Sequence, residues 1–225
     1  MPVLTYILTA LGAYLLGSIP TGYLVAKARG IDIRKTGSGN IGATNAMRVL
    51  GKPAGIFVLL MDAAKGYIAC KILPQIIFDL VTPPSSGLAI FFQTEPDDIQ
   101  TRFFVLAGIC AVLGHNYTCW LKFKGGKGIA TTAGVYLALA PWAVLVAGIV
   151  FVLAVVLTRY VSVGSIAAAV ALPLTVWIFS PQKLLLCVVT TALGALAIYK
   201  HKSNIQRLRA GTENRLGQKK SEGAK

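Results

Sequence analysis

The sequence predicts an all-α, polytopic integral membrane protein of about seven transmembrane helices, N-terminus outside and C-terminus cytoplasmic. Three observations predict it. Hydrophobic residues make up 55% of the 225 residues and charged residues only 13%, against about 25% charged in soluble domains. A soluble globule and a disordered chain are therefore both excluded. Apolar blocks recur near 3–26, 54–80, 102–121, 128–158, 162–179 and 183–199, close to the ~20 residues that a helix needs to cross ~30 Å of hydrocarbon. Finally, 18 of the 22 Lys and Arg fall on one face of the membrane once the fourth block is divided.

The first block runs from Pro2 directly into a full-length span, so it reads as a retained helix rather than a cleaved leader. The fourth block, residues 128–158, would make a helix of ~46 Å, too long for one span. Ala140-Pro141 stands near its middle, where proline disfavours a continuing helix. Two segments are expected, 128–140 and 142–158, the first a half-helix. The division keeps Lys127 and Arg159 on one face, and the positive-inside rule makes that face cytoplasmic. The proline-rich, acidic segment 82–101 becomes an external loop, with an interfacial piece expected around Leu88–Phe92. Residues 1–210 read as one transmembrane domain and 211–225 as a cytoplasmic basic tail.

The net charge of +14 is explained by membrane orientation, an anionic lipid surface or an anionic substrate, and no nucleic acid partner is expected. Cys70, Cys110, Cys119 and Cys187 lie in apolar stretches without close pairing, which disfavours zinc, a disulfide framework and a thiolate nucleophile. Paired carboxylates and a clustered His/Asp set are missing from the cytoplasmic face, so no metal and no cofactor are expected. Asp62 and Lys65 lie within the second span, three residues apart. Intramembrane charge is expensive, so the pair should face the bundle interior, either as a structural ion pair or as support for a site.

The polar chemistry is confined to four cytoplasmic segments. The first contains Gly37, Gly39 and Gly42, which permit close backbone approach. It also holds the small hydrogen-bonding residues Ser38, Asn40, Thr44 and Asn45 and the forked cation Arg48. The second brings His115, then Gly125, Gly126, Lys127 and Gly128 just before a helix start at Ile129, with Thr131 and Thr132 beyond. Free N–H groups and a positive dipole end make that an anion site. The third has Ser162 and Ser165 at a helix start; the fourth has His201, Asn204 and Arg207 on one helical face. Blander readings remain open: turn glycines, an N-cap at Ser162, helix packing at Ser165, a juxtamembrane basic helix on anionic lipid. Taken together, several cations with many hydroxyls on one membrane surface point to phosphate.

At these four segments the chain resembles the bacterial acyl-phosphate:glycerol-3-phosphate acyltransferases, the PlsY family. The matching text is Gly17-Ser-Ile-Pro-Thr-Gly22, Gly37-Ser-Gly-Asn-Ile-Gly-Ala-Thr-Asn45, Gly125-Gly-Lys-Gly128, the Ser162/Ser165 pair, Asn204-Ile-Gln-Arg-Leu208 and Gly211-Thr-Glu213. One departure follows His115, where Tyr117-Thr118 replaces the family's aromatic-Pro. The His-x4-Asp signature of other acyltransferases is lacking. The resemblance implies transfer of a fatty acyl group from acyl phosphate to the 1-hydroxyl of glycerol 3-phosphate, giving lysophosphatidic acid and inorganic phosphate. It implies the substrates acyl phosphate and glycerol 3-phosphate, a lipid environment, and a multi-pass place in the bacterial inner membrane with the active site on the cytoplasmic side. It further implies catalytic roles for Ser38, Lys127, His201 and Asn204. Substrate or phosphate binding falls to Gly39, Asn40, Thr44, Asn45, Arg48, His115, Gly125, Gly126, Gly128, Ser162, Ser165, Arg207 and Glu213. The base is left open between His201 and a substrate phosphate oxygen. A phosphate or organic-anion transporter is the main alternative; a lipid-binding scaffold is another.

Overall fold

The structure is a computed structural model and describes residues 3–81 and 98–217. Its elements are all helical: α1 (Val3–Ser18), α2 (Thr21–Lys27), a 3-10 turn (Ile33–Lys35), α3 (Ala43–Leu50), α4 (Lys52–Tyr67), a π-helical stretch (Ile68–Ile72) and α5 (Leu73–Val81). There follow α6 (Asp98–Asn116), a second 3-10 turn (Cys119–Leu121), α7 (Ile129–Leu139), α8 (Pro141–Thr158), α9 (Val161–Phe179), α10 (Leu184–Lys200) and α11 (Lys202–Arg209). The expected interfacial piece at 88–92 and the end of the basic tail lie outside the described residues.

The all-helical membrane architecture agrees with the sequence reading, while the count of spans is smaller by length and hydropathy. Among the described residues four stretches are long and apolar enough to cross a membrane, Val3–Lys27, Thr101–Leu121, Pro141–Thr158 and Val161–Phe179, and α10 with α11 makes a fifth that is bent by 52°. The rest of the expected seven are interrupted. Around residue 72 the second block passes through a π-helical stretch, in which the Leu73 amide bonds the Ile68 carbonyl. Pro74 follows, and a ring there cannot tolerate the carbonyl of a regular preceding turn. The expected break at Ala140-Pro141 is present: Ala140 leaves helical geometry, Pro141 starts α8, and α7 is only 11 residues long. The first span breaks too, at Ile19-Pro20 between α1 and α2, although its hydropathy is continuous.

The exposed surface is that of a protein solvated by lipid. Helix α8 buries Ala143 and Ala147 but presents Leu145, Leu153, Val156 and Leu157 outward. Apolar exposure on that scale in water would be an aggregation site. Inside, the helices meet through small residues, because lipid tails provide no hydrophobic force to press them together and close backbone packing must do it. A Cβ at Gly17 would lie 2.1 Å from the Ala111 carbonyl oxygen, one at Gly66 2.2 Å from that of Thr131, and one at Gly134 1.8 Å from that of Ala63. These contacts lock α1 to α6 and α4 to α7.

Gly134→Ala should therefore push α7 off α4 and cost about 1–3 kcal/mol, read as a lower thermal midpoint in detergent. Gly148, where a Cβ meets nothing within 4 Å, is the control: Gly148→Ala should hold or raise the midpoint, since Ala is the better helix former.

Candidate active site

Three helix N-termini open onto one cavity. Ala43 and Thr44 of α3, Ile129 and Ala130 of α7, and Val161 and Ser162 of α9 all line it. The first turn of each helix carries amides without intrahelical acceptors and the positive end of the dipole. No side chain caps any of the three. The space, counting its open mouth, is about 880 Å³.

The loop before α3 is held by Asn45, which is 1% exposed. Its Nδ2 donates to the carbonyls of Ile33 (3.3 Å), Thr36 (3.0 Å) and Asn40 (2.8 Å), while its Oδ1 accepts the Ser38 amide at 2.8 Å. Asn40 Oδ1 in turn accepts the Gly42 amide at 2.7 Å. A Cβ at Gly37 would lie 2.3 Å from Asn45 Oδ1, and its φ of +65° suits glycine. The outcome is a tight loop that sets Ser38 at the rim and Arg48 one turn beyond Asn45.

Opposite stands a chain of polar contacts. Lys127 Nζ donates to Asn204 Oδ1. Asn204 Nδ2 donates to Glu213 Oε1 at 2.7 Å, and Arg207 Nε donates to Glu213 Oε2 at 2.7 Å. Burial, then the Arg207 cation and more weakly Arg48, push the Lys127 ammonium down to about 8, against the pull of Glu213. Burial alone would raise Glu213, but the bonds from Asn204 and Arg207, with help from the neighbouring Ser162 hydroxyl, hold its carboxyl below the ordinary value. By strict geometry Ser162 Oγ has no hydrogen-bond partner, so its share in that effect is proximity more than a formed bond. The Ser165 hydroxyl donates to the Val161 carbonyl at 3.0 Å.

Of the residues singled out in the sequence, Ser38, Asn40, Thr44, Asn45, Arg48, His115, Lys127, Gly128, Ser162, Ser165, Asn204 and Glu213 line the cavity. Gly39, Gly125, Gly126, His201 and Arg207 do not. The two glycine amides are engaged elsewhere: Gly125 N–H donates to the Asn116 carbonyl at 3.2 Å and Gly126 N–H to that of His115 at 3.0 Å. The expectation that these amides cradle an anion therefore gives way; they clamp the turn, and the first-turn amides of α7 follow it. His201 caps α10, and its Nδ1 lies 2.8 Å from the Ala197 carbonyl. A carbonyl only accepts, so Nδ1 carries the proton and Nε2 keeps its lone pair. Arg207 reaches the site through Glu213. The segment after Gly211, expected to be a tail, turns back as far as Leu216: Glu213 is 9% exposed, and the Leu216 amide donates to the Arg159 carbonyl at 2.8 Å.

Asp62, expected either as a structural ion pair or as support for a site, stands in the cavity wall with His115. Sequence reading missed one feature. A second space of about 870 Å³ lies between α4, α7, α8, α9 and α10, lined by residues such as Val144, Ala147, Leu172 and Leu193. It shares Leu59, Ile129, Ala130 and Phe151 with the polar cavity. Uniformly apolar helices gave no hint of which face would be hollow.

A family model described as glycerol-3-phosphate acyltransferase matches residues 7–211. A glycerol-3-phosphate acyltransferase of Geobacter metallireducens is 50% identical over 214 residues, covering 95% of this chain and 99% of the relative. One from Geotalea daltonii is 45% identical over 208 residues, covering 92% and 96%. The crystal structure of PlsY, an integral membrane glycerol 3-phosphate acyltransferase, in its glycerol 3-phosphate form superposes with a TM-score of 0.78 at 35% identity, over 94% of this chain and 96% of that one. Its lysophosphatidic acid form gives 0.75, also at 35% identity, over 94% and 95%.

Asn45→Ala should remove the loop's clasp and leave buried carbonyls unpaired, at about 1–3 kcal/mol of stability. Hydrogen exchange should show residues 33–42 losing protection while α6 keeps it.

Proposed function

The chain belongs to the glycerol-3-phosphate acyltransferase family, and from that premise we propose that acyl phosphate is its donor, glycerol 3-phosphate its acceptor, and the cavity between α3, α7, α9 and α11 its active site. It is a membrane glycerol-3-phosphate acyltransferase. The observation that carries the finer reading is the junction of the two spaces. A polar cavity with two cations and three helix N-termini opens into an apolar groove at Phe151 and Ile129. One reactant of that shape is a fatty chain ending in a phosphate; the other is a small dianion. A transporter would need the polar path to continue across the bilayer, whereas the space adjoining the polar cavity at Leu59, Ile129 and Phe151 is lined by apolar residues.

In this reading Lys127 and Arg48, with the first-turn amides, hold phosphate, and Ser38, Thr44, Ser162 and Ser165 lend hydroxyls. The 1-hydroxyl oxygen attacks the acyl carbonyl carbon, the bond between that carbon and the oxygen bridging to phosphorus breaks, and phosphate leaves with the electron pair. Phosphate is a competent leaving group, so no covalent enzyme intermediate is needed. Catalysis is positioning and stabilisation of the developing oxyanion. The hydroxyl proton passes to a phosphate oxygen of the donor, because the His201 ring stands outside the cavity lining. Seven membrane-directed segments, with α7 as a half-helix, put the N-terminus outside and this site at the cytoplasmic surface of the inner membrane. The bases that flank it favour that orientation.

Purified protein given palmitoyl phosphate should release inorganic phosphate only when glycerol 3-phosphate is added; release without it would make the protein a hydrolase. Lys127→Ala and Ser38→Ala should each lower the rate ~10²–10³-fold in folded protein, and wild-type rates would remove the assignment. With a free-enzyme Lys127 at about 8, the cation is present below that pH and lost above it. So kcat/KM for glycerol 3-phosphate should fall on the alkaline side of about 8, and the fall should vanish in Lys127→Arg. His201→Gln should slow the reaction without moving the pH profile; a lost acid limb would reinstate His201 as base.

A further inference from the structure

The cavity's wall includes a charged group to which the proposed mechanism gives no task. Asp62 is 2% exposed in the middle of α4. Its Oδ1 lies 2.7 Å from Lys65 Nζ, accepts from Thr21 Oγ1 at 3.2 Å, and faces His115 Nδ1 at 3.7 Å. Part of this cluster repairs the backbone. Where the first span breaks before Pro20, Lys65 Nζ donates to the Ile19 carbonyl at 2.8 Å and Thr118 Oγ1 to the Ser18 carbonyl at 2.6 Å. Unpaired carbonyls at membrane depth are costly, so Lys65 is explained. The carboxylate's approach to His115 is not.

His115 and Asn116 are the template for the turn that carries Lys127. Their carbonyls accept the Gly126 and Gly125 amides. A Cβ at Gly126 would lie 2.1 Å from His115 Nε2, and one at Gly128 2.8 Å from Asn116 Oδ1. Lys127 is thus flanked by two glycines that rest directly on these side chains, and Lys200 Nζ braces the same Asn116 carbonyl at 2.9 Å. His115 Nδ1 is buried, has no hydrogen-bond partner, and faces the Asp62 carboxylate at 3.7 Å. Contacts of this kind commonly tighten when substrate binds.

Resting on the acyltransferase reading, we propose that Asp62 is a positioning residue for Lys127, acting through the His115 ring and the glycine turn that the ring supports. The carboxylate orients the imidazole; the imidazole fixes the height of Gly126; the turn aims the ammonium at phosphate.

The test uses the full-length enzyme in detergent with palmitoyl phosphate and glycerol 3-phosphate. Asp62→Asn should lower kcat at least about 10-fold while KM for palmitoyl phosphate stays put. Lys65 is then a buried unpaired cation, which alone can unfold the protein, so Asp62→Asn is also made with Lys65→Met. That pair should recover part of the thermal midpoint, the Ile19 carbonyl being left unpaired, but not the rate. On a Lys127→Arg background, Asp62→Asn should cost less than about 2-fold, because the two act as one unit. If no Asp62 variant folds, His115→Asn should show the same loss and the same non-additivity with Lys127→Arg. A wild-type rate in the charge-free pair would reduce Asp62 to a structural partner of Lys65, and a full loss on the Lys127→Arg background would disconnect it from Lys127; either overturns the proposal. A wild-type enzyme that releases no phosphate would sink the acyltransferase reading itself, a failure distinguishable from both.

Discussion

A doubly charged small molecule has to meet a hydrocarbon chain in one place, and the electrostatic cost of that meeting shapes this protein. Charge at the edge of a bilayer is tolerated only where fixed dipoles and counter-charges replace water. Here they are fixed in advance. Three helices begin at the cavity, Lys127 is tied to Asn204, and Asn204 and Arg207 are tied to Glu213. Glu213 offsets the repulsion among these cations, but it is bonded to Arg207 and Asn204 and Asp62 is paired with Lys65, so among the described residues Arg48 and Lys127 have no carboxylate of their own. In the proposed reaction phosphate supplies the anion.

The interruptions in the helices are the means to this end. A continuous helix satisfies its own backbone and offers nothing to a ligand. Breaking the chain before Ala43, Ile129 and Val161 frees amides at the cavity, and breaking the first span at Ile19-Pro20 frees carbonyls that Lys65 and Thr118 bond. The close glycine contacts at Gly66 and Gly134 hold the α4–α7 pair rigid, so these ends stay aimed. Lipid then meets the outer faces, such as that of α8, and enters the account again at the groove beside Phe151.

Much of this was legible from residue types. Hydropathy and the placement of bases gave the helical membrane class, and Ala140-Pro141 gave the division of the fourth block. The clustering of glycines, hydroxyls and cations in four segments named most of the cavity wall. Other features were illegible for physical reasons. Whether the Gly125 and Gly126 amides are free depends on where the end of α6 lies, which no local pattern encodes. His201 was assigned by its chemistry, but its place outside the cavity lining, with Nδ1 on the Ala197 carbonyl, follows from the bend between α10 and α11. The π-helical stretch and the hollow between α8, α9 and α10 arise from packing among side chains that are alike in hydropathy.

The most direct measurement is a structure of this protein with glycerol 3-phosphate bound. The account predicts the phosphate in the cavity, within hydrogen-bonding distance of Lys127 Nζ and facing the first turns of α7 and α9, with the glycerol carbons directed toward Phe151. A phosphate bound on another face, or held without Lys127, would contradict it.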